Sequence, residues 1–228
     1  MAREMTEIFN ESKIKGRGRY HLLMSKDDNL CRHMLDLFND DLEKYGDTGD
    51  SHQIEHDEFR QIFWEAGNFS RVNGSNGKVE QEPIKGALFD FNNDGVNDLV
   101  VRWEPWLAGG ISDYLFVLPR DMASSLNNLN FNRDMLADPD QIYLSGYAYP
   151  LSQLPGATVL SAIDLRVMEP FIYNKISYLL MRPLFEFYKN RNGIAVISKY
   201  HSGKFVDRDI SGSMDDICYY TRIRVDHQ

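Results

Sequence analysis

The chain has 228 residues, 43% of them hydrophobic and 26% charged, enough to bury about 70% of its unfolded surface without a metal or disulfide staple, and this make-up excludes disordered and fibrous classes. A formal net charge of -9 argues against nucleic acid as a partner, because binding a phosphate backbone rests on Lys and Arg neutralising phosphates. No run approaches the roughly 18 apolar residues of a membrane-spanning helix, and no charged segment followed by an apolar stretch marks a signal peptide at the N-terminus.

Residues 1–19 read as a short helix or a flexible arm, in which Lys13, Lys15, Arg17 and Arg19 alternate with Gly16 and Gly18 as in a solvated segment. Tyr20 to Met24 follows as a first strand. Ser25 then stands as a helix N-cap with Asp28 in the capping-box position. From Asp27 to Tyr45 the residues Leu30, Cys31, Met34, Leu35, Phe38 and Leu42 recur at spacings of three and four, which predicts an amphipathic helix ended by Gly46. Gly46 to Gln53 reads as loop and Ile54 to Ile62 as a short helix leading into Phe63-Trp64. Residues 67–82 read as a long surface loop or hairpin tip around Asn73-Gly74-Ser75-Asn76-Gly77.

Two strands flank the acidic segment from Asp90 to Asp98, and Ser112 to Leu118 makes a third. Leu99-Val100-Val101 and Tyr114 to Leu118 are continuously apolar, the pattern of strands covered on both faces, so the centre of the sheet is expected there. Asp121 to Leu129 reads as a short helix and Ile142 to Tyr149 as a strand. Ser161 to Val167 and Tyr173 to Met181 fit either helix or strand. After a turn at Asn192-Gly193, Ile194 to Tyr200 and Ile217 to Val225 form a hairpin across a polar loop from His201 to Asp216. One strong early helix followed by many strands predicts an α+β fold, a mainly antiparallel sheet packed with the N-terminal amphipathic helix. No shift in composition divides residues 1–228, which are read as a single domain.

The segment from Asp90 to Asp98 carries the chemistry. Asp90, Asn92, Asp94 and Asp98 place oxygen side chains at loop positions one, three, five and nine, Gly95 allows a sharp turn, and the Val96 carbonyl is in place for a fifth ligand. Three carboxylates so close repel one another unless a cation neutralises them. The competing reading is a metal-free turn, since Asn92, Asn93 and Asp94-Gly95 are strong turn residues by themselves. An EF-hand needs a bidentate Glu at position twelve, where this chain has Val101, and helices on both sides, where it has β-favouring Phe89 and Leu99-Val100-Val101. The spacing from Asp90 to Val101 resembles instead the strand-loop-strand calcium loop of FG-GAP and VCBS repeats, present here in one copy. That resemblance implies a bound Ca2+ held by Asp90, Asn92, Asp94, Val96 and Asp98.

A wider resemblance joins the Cys-bearing helix, the Phe-Asp-Phe-Asn-Asn-Asp-Gly run and Asp216-Ile217-Cys218-Tyr219, which together are similar to a group of uncharacterised bacterial proteins exported to the cell envelope. It implies a periplasmic or extracellular location and no activity. In such a compartment Cys31 and Cys218 are expected to pair. Against that, Cys218 alternates opposite Ile217, Ile223 and Val225; if the Ile face is the core, the helix must cover the other side of the strand for the bridge to form.

His52, Glu55 and His56 match the H-x-x-E-H order of inverted zinc peptidases. The downstream Glu ligand of that family has no counterpart here, since no Glu stands between Glu104 and Glu169. Asp207, Asp209, Asp215 and Asp216 form a second acidic cluster among Gly and Ser, as in a solvated loop. Trp103, Trp106 and Gly109-Gly110 read as core or rim, or as an aromatic ligand surface. No catalytic set is assigned. The expected function is a non-enzymatic cell-envelope domain with a structural calcium loop, acting on an unknown macromolecular partner. The alternatives are a small zinc-dependent hydrolase using residues 52–56, and an acidic inhibitor or immunity protein.

Overall fold

The computed structural model describes residues 19–45, 62–72, 77–104, 106–107, 110–111, 114–118, 142–145, 147–150, 162–183, 193–201 and 214–222. Among these residues the elements are β1 (Tyr20–Ser25), α1 (Asp28–Tyr45), β2 (Glu65–Val72), β3 (Val79–Phe89), β4 (Asp98–Trp103), β5 (Trp106–Leu107), β6 (Gly110–Ile111), β7 (Tyr114–Leu118), β8 (Ile142–Ser145), β9 (Tyr147–Pro150), β10 (Ala162–Tyr173), β11 (Ile176–Pro183), β12 (Gly193–Tyr200) and β13 (Met214–Arg222). The class is broadly α+β with antiparallel pairing throughout the described ladders. The strands form two main sheets rather than one: a six-stranded sheet in the order β1-β13-β12-β11-β10-β9 and a five-stranded sheet in the order β2-β3-β4-β7-β8, with β5-β6 as a small ribbon.

Local chemistry explains the elements and several departures from expectation. α1 follows its apolar spacing, but its cap is Asp27, whose Oδ1 accepts the Leu30 N–H at 3.1 Å. A carboxylate immediately before the first turn meets both the unpaired N–H groups and the positive end of the helix dipole. Ser25, expected as the cap, is instead the last residue of β1 and pairs with Cys218. Of the two readings for 67–82, a long surface loop or a hairpin tip, the hairpin is the one found: β2 and β3 pair from Glu65↔Gly86 to Val72↔Val79, so more of the stretch is strand than expected. Cross-strand pairing overrides a polar, weakly alternating sequence; residues 73–76 lie outside the described set.

The ambiguous pair of segments proves to be a hairpin. β10 and β11 are joined at Asn174-Lys175, with φ of 50° and 64°, as two-residue hairpin turns require. The strand expected from Ile142 to Tyr149 is divided, with β8 pairing to β7 in one sheet and β9 to β10 in the other. The β12-β13 hairpin forms as expected, though from Met214 and without residues 223–225, which lie outside the described set. Also outside it are residues 1–18, the Gly46 stop, residues 54–61 of the expected short helix and the expected helix at 121–129.

Side-chain alternation on β4 shows where the cores sit. Val100 joins Ala87, Phe89, Leu115 and Val117 of its own sheet with Met168, Leu179, Met181, Val196 and Tyr219 of the six-stranded sheet, so the two sheets share a core. On the opposite face of the five-stranded sheet, Leu99 and Val101 cluster with Ile84, Phe116 and Leu118. β4 and β7 are thus buried on both faces, as their continuous apolar runs predict. A further cluster contains Leu30, Met34 and Phe38 together with Tyr178, Leu180, Ala195, Ile197 and Tyr220.

Cys31 and Cys218 are disulfide-bonded, with Cα atoms 5.6 Å apart. The Tyr220 hydroxyl donates to the Cys31 carbonyl at 3.0 Å, and burial pushes that phenol's pKa far up. The objection from alternation dissolves because both faces of β13 are buried: Tyr219 belongs to the inter-sheet core and Cys218 to the cluster containing the helix residues. Among the described residues no helix is long and apolar enough to cross a membrane.

Candidate metal loop

β3 ends and β4 begins at the pair Phe89↔Asp98, so residues 90–97 close a hairpin whose feet are held by the ladder. Two aromatic residues root the loop. Phe89 and Phe91 are buried with ring centroids 6.1 Å apart; Phe91 also lies 6.1 Å from Tyr200 and Phe89 6.5 Å from Trp64. Gly95 has φ 89° with open space where a Cβ would stand, so backbone conformation and not crowding requires glycine there. Asn93 is left-handed too, at φ 61°, a conformation Asn tolerates better than most residues.

The side chains of Asp90, Asn92 and Asp94 share one set of hydrogen bonds, and Asp98 makes a separate one at the foot of the loop. The Asp90 carboxylate accepts the N–H groups of Asp94 at 2.9 Å and Gly95 at 2.8 Å. Asn92 Oδ1 accepts the same Asp94 N–H at 3.0 Å, and its Nδ2 donates to Asp94 Oδ2 at 2.9 Å. Asp94 Oδ1 accepts the Val96 N–H at 2.8 Å, and Asp98 Oδ2 the Phe91 N–H at 3.1 Å. Asp90, Asn92, Asp94 and Asp98 are therefore brought to one loop, while Val96 is 62% exposed at its tip. Each carboxylate oxygen keeps lone-pair capacity beyond the bond it accepts.

Burial pushes the Asp98 carboxyl above its ordinary range, and the nearby charges of Asp94 and Asp90 push the same way, against lowering by the N–H groups of Phe91 and Asn92. Burial, then the charge of Asp98, also raises the Tyr200 phenol. Asp98 is half-buried beside Asp90, whereas Asp94 is exposed at the tip of the loop. The donor set is all oxygen, which suits calcium or magnesium rather than zinc. Position twelve, Val101, is fully buried in the core of β4, so no ligand can come from there. Among the described residues no group of three or more His, Cys, Asp or Glu side chains is placed to hold a metal ion, so Asp90, Asp94 and Asp98 do not form one as they stand.

Sequence reasoning missed the loop's second anchor. Asn93 Oδ1 accepts the Ser177 N–H at 2.7 Å, Asn93 Nδ2 donates to the Ser177 carbonyl at 3.2 Å, and the Ser177 hydroxyl donates to the Asp90 carbonyl at 2.6 Å. The available signal was the doubled Asn92-Asn93, where the ligand spacing needs only one Asn.

His52, Glu55 and His56 lie outside the described residues, as do Asp207, Asp209, Gly109 and the Trp106 side chain. Of the second acidic cluster, Asp216 accepts the Ser198 hydroxyl at 2.6 Å and the Tyr219 hydroxyl, and Asp215 lies 3.5 Å from His201 at the surface. The two carboxylates are occupied separately and form no common site. Trp103 donates to Glu82 at 3.0 Å and lies 5.0 Å from the Tyr114 ring, as a packed structural residue does. Comparison with protein families, curated proteins and solved structures finds no match for this chain.

Proposed function

We propose that the protein is a non-enzymatic interaction domain of the cell envelope in which calcium fixes the β3-β4 connection. The observation that supports this reading is that Asp90, Asn92, Asp94 and Asp98 lie on one short loop, where partial burial and then the charges of Asp94 and Asp90 raise the Asp98 carboxyl; the three carboxylates do not converge as they stand, so a cation would have to draw them together. A divalent cation offsets that repulsion directly. Side-chain oxygens of Asp90, Asn92, Asp94 and Asp98 serve as ligands with the Val96 carbonyl, and water completes the shell.

With Val101 at position twelve there is no bidentate anchor, so affinity is modest, on the order of 10⁻⁴ to 10⁻³ M, which suffices outside the cytosol. The disulfide supports an oxidising compartment. Bridged to β13, with Phe38 edge-on to Tyr220 at 5.1 Å, α1 is read as the layer covering the six-stranded sheet on the face away from its partner sheet. The calcium loop then acts as a brace that holds an interaction surface, and does no chemistry itself.

Thermal unfolding with and without calcium tests this. Calcium at about ten times its Kd stabilises a folded-state binder by about 1.4 kcal/mol, and Asp94→Ala and Asp98→Ala are expected to remove the rise in Tm while leaving the metal-free protein folded. A wild-type Tm unchanged up to about 10 mM calcium, above the range of extracellular modules, makes the loop a metal-free turn.

A further inference from the structure

We infer that β2 is a docking edge for a second copy of this chain: two β2 strands pair antiparallel about a two-fold axis at Asn68 and join two five-stranded sheets into one. The inference is independent of the calcium reading.

The two main sheets end in four strands, β1 and β9 in one, β2 and β8 in the other. A strand at a sheet edge is an open template for another chain unless it is short, bulged, covered, or blunted with proline or lysine. β8 and β9 have four residues each, and β1 has a register shift between Leu22 and Met24. β2 has none of these protections. Its eight residues, Glu65-Ala66-Gly67-Asn68-Phe69-Ser70-Arg71-Val72, include neither proline nor lysine and pair with β3 without a register shift. Among the described residues no strand pairs with its other side, and Glu65, Ala66 and Asn68 are exposed.

A proline in β3 fixes which groups β2 presents. Pro83 lies opposite Asn68 and has no N–H to give. Pairing between β3 and β4 begins at Ile84↔Trp103, so the missing donor faces the side just past the end of β4, where the ladder asks for none. The N–H and C=O of one strand residue point to the same side. Pro83 and Asn68 are thus a non-hydrogen-bonded pair, and Asn68 turns its backbone groups away from β3. Ala66 and Ser70, two positions to either side, do the same.

About an axis at Asn68, that residue meets its own copy and exchanges two N–H to C=O bonds with it, while Ala66 stands opposite Ser70. Glu65 falls opposite Arg71 at both ends of the pairing, so opposite charges meet twice. A parallel arrangement would set Glu65 beside Glu65 and Arg71 beside Arg71, which like charges disfavour. Phe63, 86% exposed and the most exposed of the large apolar side chains among the described residues, comes two positions before Glu65 and so lies beside the end of the copy's strand. Two-fold pairing uses the same edge on both copies, so assembly closes at two chains instead of growing into a fibre.

The test is sedimentation of the full chain between about 1 μM and about 1 mM, the range suited to a small contact, with a non-reducing gel to exclude a disulfide-linked pair. Wild type is expected to form a noncovalent dimer as concentration rises, and nothing larger. Asn68→Pro removes an N–H that a single copy leaves to water; it is expected to weaken dimerisation about tenfold or more and to leave the Tm of the dilute protein unchanged. Asn68→Lys, which brings two ammonium groups together at the axis, decides the question if the proline variant does not fold. Glu65→Lys alone and Arg71→Glu alone each place like charges together twice and are expected to dimerise about tenfold more weakly. An equimolar mixture of those two variants restores opposite charges at both contacts and is expected to dimerise as wild type does. Wild type that stays monomeric to about 1 mM overturns the proposal, whether the edge then stays open or takes a partner of another kind. A dimer that Asn68→Lys and the single charge variants leave intact overturns β2 as its site, and a mixture no tighter than its components overturns the register at Asn68.

Discussion

Asp98 stands at the foot of β4 with Oδ2 on the Phe91 N–H, and burial followed by the charges of Asp94 and Asp90 raises its carboxyl above the unfolded value of 3.8. Between 3.8 and the raised folded value the native state therefore binds more protons than the unfolded chain. Stability from this group falls as pH rises through that window, and the full cost of the ionised form is present above it. Metal-free Asp98→Asn, whose amide oxygen can still accept from Phe91, is expected to be more stable than wild type at about pH 7, with the difference closing toward about pH 4. Urea midpoints across that range measure it; a difference that is constant with pH contradicts the assignment to Asp98. On the proposed reading a calcium ion would bind the ionised form, so its affinity is expected to decline as pH falls through the same window.

At the scale of the element, the loop is a hairpin connection rooted by aromatics. Phe91 is 3% exposed among Phe89, Tyr200 and the inter-sheet core. Phe91→Ala is expected to cost about 3–5 kcal/mol in urea unfolding. Leu88→Ala, one residue before Phe89 but 52% exposed, is expected to cost under about 0.5 kcal/mol. β4, β7, α1 and the shared loop of Asp90, Asn92, Asp94 and Asp98 were legible because each is written in a local pattern: a continuous apolar run, a three-four spacing, an oxygen every second residue. The β2-β3 hairpin was legible only as a possible turn around Asn73-Gly74, and the length of its strands was not, because their residues are polar and the strands exist through pairing. Nor was the Asn93 anchor, whose partner is 84 residues away and which looks in sequence like any turn residue.

Across the whole molecule, the disulfide joins residues separated by 187 positions. In the chain-entropy account such a closure contributes up to about 5 kcal/mol by restricting the unfolded chain. The double variant Cys31→Ala/Cys218→Ala is expected to lose about 2–5 kcal/mol, read as a lower denaturant midpoint. No change in midpoint would mean that the bridge adds nothing to the packing around it. Both cysteines are fully buried, so reductant is expected to act on the native protein only through opening of the fold.

β1 pairs directly with β13, Tyr20 opposite Arg222, so the strand made earliest among those described lies beside the one made last. While the chain is synthesised, β1 waits without its strand partner until β13 has emerged, and Cys31 waits without its thiol partner for the same interval. Folding of the six-stranded sheet is consequently a late event, slow in the way of topologies that depend on distant pairings. The chain holds two cysteines in all, which leaves no wrong bridge to form within one molecule during that delay; the hazard is a bridge to a second nascent copy, and a dimer linked through Cys31 is the misfolded product this topology invites.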